Sequence, residues 1–248
     1  MVTAIRKGFT LVELLIVITI LVILGIFVIL LINPAEILAK SRDSQRISDL
    51  ATMKGAMQLF LTDPGVNLTT LMTNECLSSA ATPPIPETDT GNRVKINVSL
   101  KEQPDTNGTP MTNKYVGAFG DTNDTARKKN DGSGWVPVNL TQVQSGAPLE
   151  MYPADPSADL SAEDTNANTD IAKGFYYRFG CWSNGGKFEY EFDAGLESAA
   201  YGPLASGGGK GGSDGGNANA TASPTTGNNR YEVGNNLTIL PATASLDD

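Results

Sequence analysis

The hydrophobic pattern divides the chain into two unlike parts. From Gly8 to Ile32 it reads Gly-Phe-Thr-Leu-Val-Glu-Leu-Leu-Ile-Val-Ile-Thr-Ile-Leu-Val-Ile-Leu-Gly-Ile-Phe-Val-Ile-Leu-Leu-Ile, with Glu13 the one ionisable side chain. Apolar residues cover the whole circumference of a helix, and such a helix is either deeply buried or in lipid. The run from Phe9 to Ile32 exceeds the roughly 20 residues that span a bilayer's hydrocarbon core. Arg6 and Lys7 precede it, and basic residues at that end stay on the cytoplasmic side. A cleavable secretory signal fits poorly, because its apolar core is about 7–15 residues and ends at a small-residue site. Here the run is longer and is followed by Ile32-Asn33-Pro34-Ala35. A soluble core helix would not be a continuous apolar run of this length.

At Asn33-Pro34 the pattern changes. Proline removes a backbone donor and disfavours helix at the residue before it, so Pro34 predicts a kink or short unwound segment near Leu30–Pro34. Helix then resumes, and 33–62 is an amphipathic continuation. Ile47, Leu50, Met53, Met57, Phe60 and Leu61 recur at spacings of three and four and form one apolar stripe. Lys40, Arg42, Asp43, Arg46 and Asp49 fall mostly on the polar surface in this reading. Asp63-Pro64-Gly65 stops the helix. If continuous, the rod from Phe9 to Leu61 would be about 80 Å long at 1.5 Å per residue, a length that suits a stalk bundled with copies of itself.

Residues 63–248 read as a loop-rich β domain. Arg93 to Leu100 alternates apolar and polar with period two, Tyr115 to Phe119 is a short strand, and Trp135-Val-Pro-Val138 reads as an edge strand. Residues 121–134 are polar loop, and 145–170 are largely loop. Phe175, Tyr177, Phe179 and Cys181 alternate with Tyr176, Arg178, Gly180 and Trp182, a turn follows at Ser183–Gly186, and Phe188, Tyr190 and Phe192 alternate with Glu189, Glu191 and Asp193. This is a β-hairpin, and its aromatic face is the expected seat of the helix stripe. Ala194 to Tyr201 reads as a short helix and Tyr231 to Leu240 as a last strand. The segment 205–229, rich in Gly, Ser, Thr and Asn, is expected to be a flexible loop. A long helix followed by antiparallel strands is the α+β class.

Composition narrows the function. Lys+Arg 18 against Asp+Glu 27 gives a net charge of −9, which argues against nucleic acid as a primary ligand. Arg127-Lys128-Lys129, the one basic triplet, reads as a solvated loop. The chain has no histidine, which excludes His-dependent triads and His metal ligands. Its two cysteines, Cys76 and Cys181, could bridge if the body lies outside the cytoplasmic membrane. Closing so long a loop would stabilise by about 4–5 kcal/mol in a chain-entropy model. Two separate buried thiols are the other reading.

Glu13 then asks for an explanation, because a carboxylate in a membrane helix is costly and points to function. A cut between Gly8 and Phe9 supplies one. Phe9 would carry a free amine, and a neighbour's amine could meet Glu13. Lys7-Gly8-Phe9-Thr10-Leu11-Val12-Glu13 at the head of a long apolar run resembles the processing motif of type IV pilins and type II secretion pseudopilins. The resemblance covers roughly residues 1–62. It implies a leader of residues 1–8, removed after Gly8 by a prepilin peptidase that N-methylates Phe9. It implies an assembly role for Glu13, and a hydrophobic transmembrane and assembly helix over 9–32. The fold implied is pilin-like, a long N-terminal helix packed on an antiparallel β-sheet.

The expected function is a structural subunit, not an enzyme, of a type IV pilus-like filament. The subunit would sit in the cytoplasmic (inner) membrane before assembly and in a cell-surface, fimbrium-type filament afterwards. Its partners would be copies of itself, other pilins, the peptidase and a membrane assembly platform for the pilus or for secretion. Minor pilin and secretion pseudopilin are the alternatives within the class. A membrane-tethered binding or catalytic domain is the alternative outside it. No cofactor is expected beyond a weak Ca²⁺ candidate at Asp164, Asn166, Asn168 and Asp170, where oxygen donors alternate. Thr169 and Phe175 stand where an EF-hand needs glycine and glutamate, so a looser site with Asp155 or Asp159, or a plain polar loop, remains. Some pseudopilins, by the same resemblance, bind calcium in C-terminal loops. Glu189 and Glu191 read as a solvated hairpin face rather than a glycosidase pair. The Asn-x-Ser/Thr triplets at Asn67, Asn97, Asn107, Asn123, Asn139, Asn219 and Asn236 are ordinary for this composition.

Overall fold

The computed structural model describes residues 8–31, 33–74, 76, 96–99, 116–119, 124–156, 176–202, 209–210, 214 and 230–240. The leader residues 1–7, the oxygen-donor run 164–170 and most of 205–229 lie outside them. The chain divides into two compact units, Met1–Ala39 and Lys40–Asp248.

Helix α1 spans Leu11–Leu31 and α2 spans Pro34–Thr62. The junction follows from its residues. Asn33 accepts the Glu36 N–H on Oδ1 at 3.4 Å and the Ile37 N–H on its carbonyl at 3.3 Å. Asn33 is therefore an N-cap, and Pro34 takes the first helical position, where its missing donor costs nothing. Helix α3 (Thr69–Asn74), strands β1 (Ile96–Val98) and β2 (Val116–Phe119), and helix α4 (Asp124–Arg127) follow. A 3₁₀ turn at Leu140–Gln142, then β3 (Tyr177–Asn184), β4 (Lys187–Ala194) and β5 (Tyr231–Gly234), complete the described elements. The order is α+β.

The sheet runs β2-β1-β3-β4-β5. β1, β3, β4 and β5 are antiparallel neighbours, whereas β2 lies parallel to β1. The β3–β4 hairpin is the register-setting unit. Phe179 faces Phe192 and Cys181 faces Tyr190, and the strands are joined through Gly185 and Gly186, both at positive φ (57° and 85°). Two successive positive-φ residues make a turn whose twist matches that of the strands, which is why two glycines stand there. β5 ends at Gly234, and Asn235 then imitates a strand residue. Its Oδ1 accepts the Tyr190 N–H and its Nδ2 donates to the Phe188 carbonyl. The expected strand over Tyr231–Leu240 is thus limited to its first four residues.

The core lies between α2 and one face of the sheet. Leu50, Met53, Met57 and Phe60 pack in one cluster with Tyr177, Phe179, Cys181, Tyr190 and Phe192. Each large side chain buried here contributes roughly 1.5–3 kcal/mol. Ile47 and Leu61, at the ends of the apolar stripe, are half-buried. Cys76, just past α3, is bonded to Cys181 on β3 across a sequence separation of 105.

Several local expectations are corrected. Trp135–Val138 is not a strand but a buried irregular plug. Trp135 packs on Tyr152, Tyr177 and Phe192 at 6.3–6.4 Å between ring centroids, and its Nε1–H donates to the Pro153 carbonyl at 3.0 Å. The segment turns in at Gly134, where a Cβ would lie 2.4 Å from the Lys129 carbonyl oxygen. Residues 124–127 of the presumed loop are helical, and Arg127 is buried, donating to the Ser99 carbonyl. The segment expected to be helical is not: Ala194 closes β4, 195–197 are irregular and 198–201 form a bend and turn.

The larger correction concerns charge. Asp43 and Arg46, assigned to the polar surface, are fully buried. Arg46 donates to both oxygens of Asp155 at 2.8 and 3.0 Å, to Asp43 at 2.8 Å and to Glu197 at 2.8 Å. Arg42 donates to both Glu197 oxygens, at 2.6 and 2.8 Å. Asp43 in turn accepts the backbone N–H groups of Glu197 and Ser198. One turn further along α2, Asp49 accepts the Tyr177 hydroxyl at 2.8 Å. The apolar stripe therefore continues toward the start of α2 as a buried polar one. Its ionic partners come from far along the chain, so periodicity could not reveal it. Burial opposes ionisation of Glu197, but the hydrogen bonds from Arg42 and Arg46 outweigh that and hold its pKa below the usual carboxylate value.

Removing one partner of a buried ion pair strands the other. Arg46→Ala is expected to cost about 3–5 kcal/mol in urea denaturation. Cys76→Ser is expected to cost about 2–5 kcal/mol in the same measurement, and an unchanged midpoint for either variant would refute the corresponding role.

Candidate functional site: the head of the apolar helix

α1 begins at Leu11, leaving Gly8, Phe9 and Thr10 outside the helix. The reason is a reciprocal cap. The Thr10 N–H and hydroxyl both donate to Glu13 Oε2 at 2.9 Å, and the Glu13 N–H donates back to Thr10 Oγ1 at 3.2 Å. Thr10 is the N-cap and Glu13 the third helical residue, the S/T-x-x-E arrangement that satisfies two orphan donors at once. The Thr10 carbonyl starts the helical ladder by accepting the Leu14 N–H at 3.2 Å. Sequence reasoning singled out Glu13 but passed over Thr10, although the Thr-x-x-Glu spacing before an apolar run was the available signal.

The cap has two chemical consequences. The Gly8–Phe9 bond lies in non-helical backbone, and Phe9 is 86% exposed. A Cβ placed on Gly8 would meet nothing within 4 Å. The bond is therefore presented in non-helical backbone ahead of the first turn of α1. The cap also turns the Glu13 carboxylate back toward the chain start, the side on which a new Phe9 amine would arise after a cut. Glu13 Oε1 has no hydrogen-bond partner among the described residues.

Along the rest of α1 the side chains from Leu11 to Val28 are exposed. Thr19, the other polar side chain, returns its hydroxyl to the Leu15 carbonyl and so asks nothing of its surroundings. α1 has 21 residues, about 31 Å at 1.5 Å per residue. Its segment Leu11–Val28 is long and apolar enough to cross a membrane. Gly25 has nothing within 4 Å of a built Cβ. Among the described residues no group of three or more His, Cys, Asp or Glu could hold a metal ion.

A family model described as the prokaryotic N-terminal methylation motif matches residues 4–29. No curated protein and no solved structure matches the chain. The matched stretch contains Gly8, Phe9, Thr10 and Glu13, so the chain carries the N-terminal signature of type IV prepilins and secretion pseudopilins. Thr10→Val should remove the cap while keeping the side chain's volume. Amide exchange at Leu11 to Leu14 in micelles is expected to accelerate by roughly an order of magnitude, and unchanged exchange would refute the cap.

Proposed function

We propose that the chain is the precursor of a structural subunit of a type IV pilus-like filament. It inserts in the cytoplasmic membrane through α1, is cut after Gly8, is N-methylated at Phe9 and polymerises through the same helix. Minor pilin and secretion pseudopilin are readings of the same features. The observation that carries the proposal is the combination at the chain head. An apolar helix is exposed from Leu11 to Val28 in the single chain, capped by its one carboxylate, with Gly8 and Phe9 in non-helical backbone just outside it.

The physical sequence is continuous. In lipid, α1 satisfies its backbone internally and its side chains by solvation in hydrocarbon. When copies associate, the same side chains pack against each other, so the anchor becomes a polymer core. Glu13 is the exception, since moving its carboxylate into that core is unfavourable unless a cation comes with it. The methylated amine of a neighbour's Phe9 is such a cation, and the contact would neutralise both charges and set the stagger between subunits. Partners on this reading are further copies, other pilins, the peptidase and a membrane assembly platform.

Glu13→Ala is expected to leave cleavage after Gly8 largely intact while reducing filament yield by tenfold or more, on the order of one lost charge-assisted contact. Electron microscopy of sheared filaments, with immunoblotting of processed and unprocessed chain, reads both. Normal filament yield with Glu13→Ala would remove Glu13 from the mechanism.

A further inference from the structure

The face of the sheet turned away from α2 carries a second buried layer of charge. Cross-strand register places Arg178 opposite Asp193 and Asp193 opposite Glu232, with Glu191 opposite Gly234. Arg178, Glu191, Asp193, Arg230 and Glu232 are all at most 2% exposed. Asp193 takes both cations. Arg178 Nε donates to its two oxygens at 3.0 and 2.8 Å, and Arg230 Nε donates at 2.8 Å. Arg230 also donates to the Tyr176 carbonyl and lies 4.7 Å over the Tyr176 ring.

Among the described residues, neither Glu191 nor Glu232 accepts a hydrogen bond from a cationic side chain. Glu191 Oε2 accepts the backbone N–H groups of Ile239 and Leu240 at 2.8 and 2.9 Å, but its Oε1 accepts nothing. Neither carboxyl oxygen of Glu232 has a hydrogen-bond partner among the described residues. The backbone N–H of Glu232 donates to Asp214 Oδ2, which adds a fourth carboxylate nearby. Glu189, a further acid on this face, accepts from Asn236 Nδ2 at 2.7 Å. Ile239 and Leu240 sit where Gly180 has no side chain, since a Cβ there would lie 2.7 Å from Leu240 Cδ2. The acidic layer thus underlies both β5 and the 239–240 segment.

We propose that this layer is a proton-operated clasp, in which a proton held on Glu232 keeps β5 and the 239–240 segment seated on the sheet and its loss loosens them. The argument is one of charge and solvation. Among the described residues, three buried carboxylates (Glu191, Asp193, Glu232) share this layer with two guanidiniums, and a buried carboxylate without a hydrogen-bond partner escapes the cost of its charge by taking up a proton. Burial, reinforced by the charges of Glu191, Asp193 and Asp214 and opposed by Arg178, pushes the Glu232 carboxyl up to about 9. Burial and Asp193 push Glu191 up to about 8, opposed by the Leu240 and Ile239 N–H groups and by Arg178. For an acid whose folded pKa is raised, the folded state holds more protons than the unfolded state between the two values. The contribution is least unfavourable below the ordinary glutamate value of 4.5, and stability is lost progressively as pH rises toward about 9. The clasp therefore holds in mildly acidic surroundings and weakens in alkaline ones, the reverse of the Arg46 cluster, whose Glu197 favours its ionised form.

The test compares the full chain with Glu232→Gln in detergent micelles. Denaturant unfolding is followed across that pH range, with amide protection read at Val233, Ile239 and Leu240. The folding constant of the wild type relative to the variant should fall by up to about tenfold per pH unit between the unfolded and folded values, with protection at Ile239 and Leu240 lost before that of the β3–β4 hairpin. Parallel pH profiles for the two proteins would overturn the clasp, as would a Glu232→Gln chain less stable than wild type near its alkaline end. Should that variant not fold, infrared spectroscopy of the wild type decides. A protonated-carboxyl band present at about pH 7 and lost above about pH 10 supports the clasp, and its absence at neutral pH refutes it.

Discussion

The constraint on which the rest depends is that α1 has an apolar surface on every side, exposed from Leu11 to Val28. Each Val, Leu, Ile or Phe side chain left in water forgoes roughly 1.5–3 kcal/mol, and α1 is built almost entirely of them. The sum is on the order of tens of kcal/mol, more than the net stability of a typical domain. Such a helix has to lie in lipid or among other apolar helices. Its one carboxylate, Glu13, is held at the helix head by Thr10, outside the long uncharged stretch.

The Lys40–Asp248 unit solves a different problem with the same materials. Its helix must dock on a sheet whose two faces differ. On the face toward α2, aromatic residues of β3 and β4 meet Leu50, Met53, Met57 and Phe60, and the Cys76–Cys181 bond ties the segment after α3 to β3. Toward the start of α2 the contact becomes ionic, through Arg46 and its carboxylate partners Asp43, Asp155 and Glu197. Buried ion pairs add little net stability over apolar packing, but they penalise misplacement heavily. Arg46 thus specifies the seating of α2, and the aromatic cluster supplies most of its binding energy.

What could be read from the chain divides along the same line. α1, the change of character at Asn33-Pro34, the stop at Asp63-Pro64-Gly65 and the β3–β4 hairpin were legible because each is written in local periodicity or turn chemistry. The charged layers were not. Hydropathy assigns Asp43, Arg46, Glu191 and Asp193 to water, and their burial depends on partners such as Asp155 and Glu197, or on the backbone at Ile239 and Leu240, which only the fold brings near. Trp135–Val138 has the composition of a strand but serves as a core plug, because tertiary packing of a large aromatic outweighs β propensity. At the chain head the motif is plain in the sequence, and the role of Thr10 is written in the Thr-x-x-Glu spacing at the helix start rather than in the charge.

On the proposed function, the apolar helix is a conversion element, made as an anchor and released by a cut at Gly8 to become an assembly surface. Intact-mass analysis of the membrane-extracted chain tests it most directly. A mature chain that begins at Phe9 and carries one added methyl group is the predicted result. A chain that retains residues 1–8, or one cut beyond the apolar run, would contradict the account and leave α1 as a simple tether.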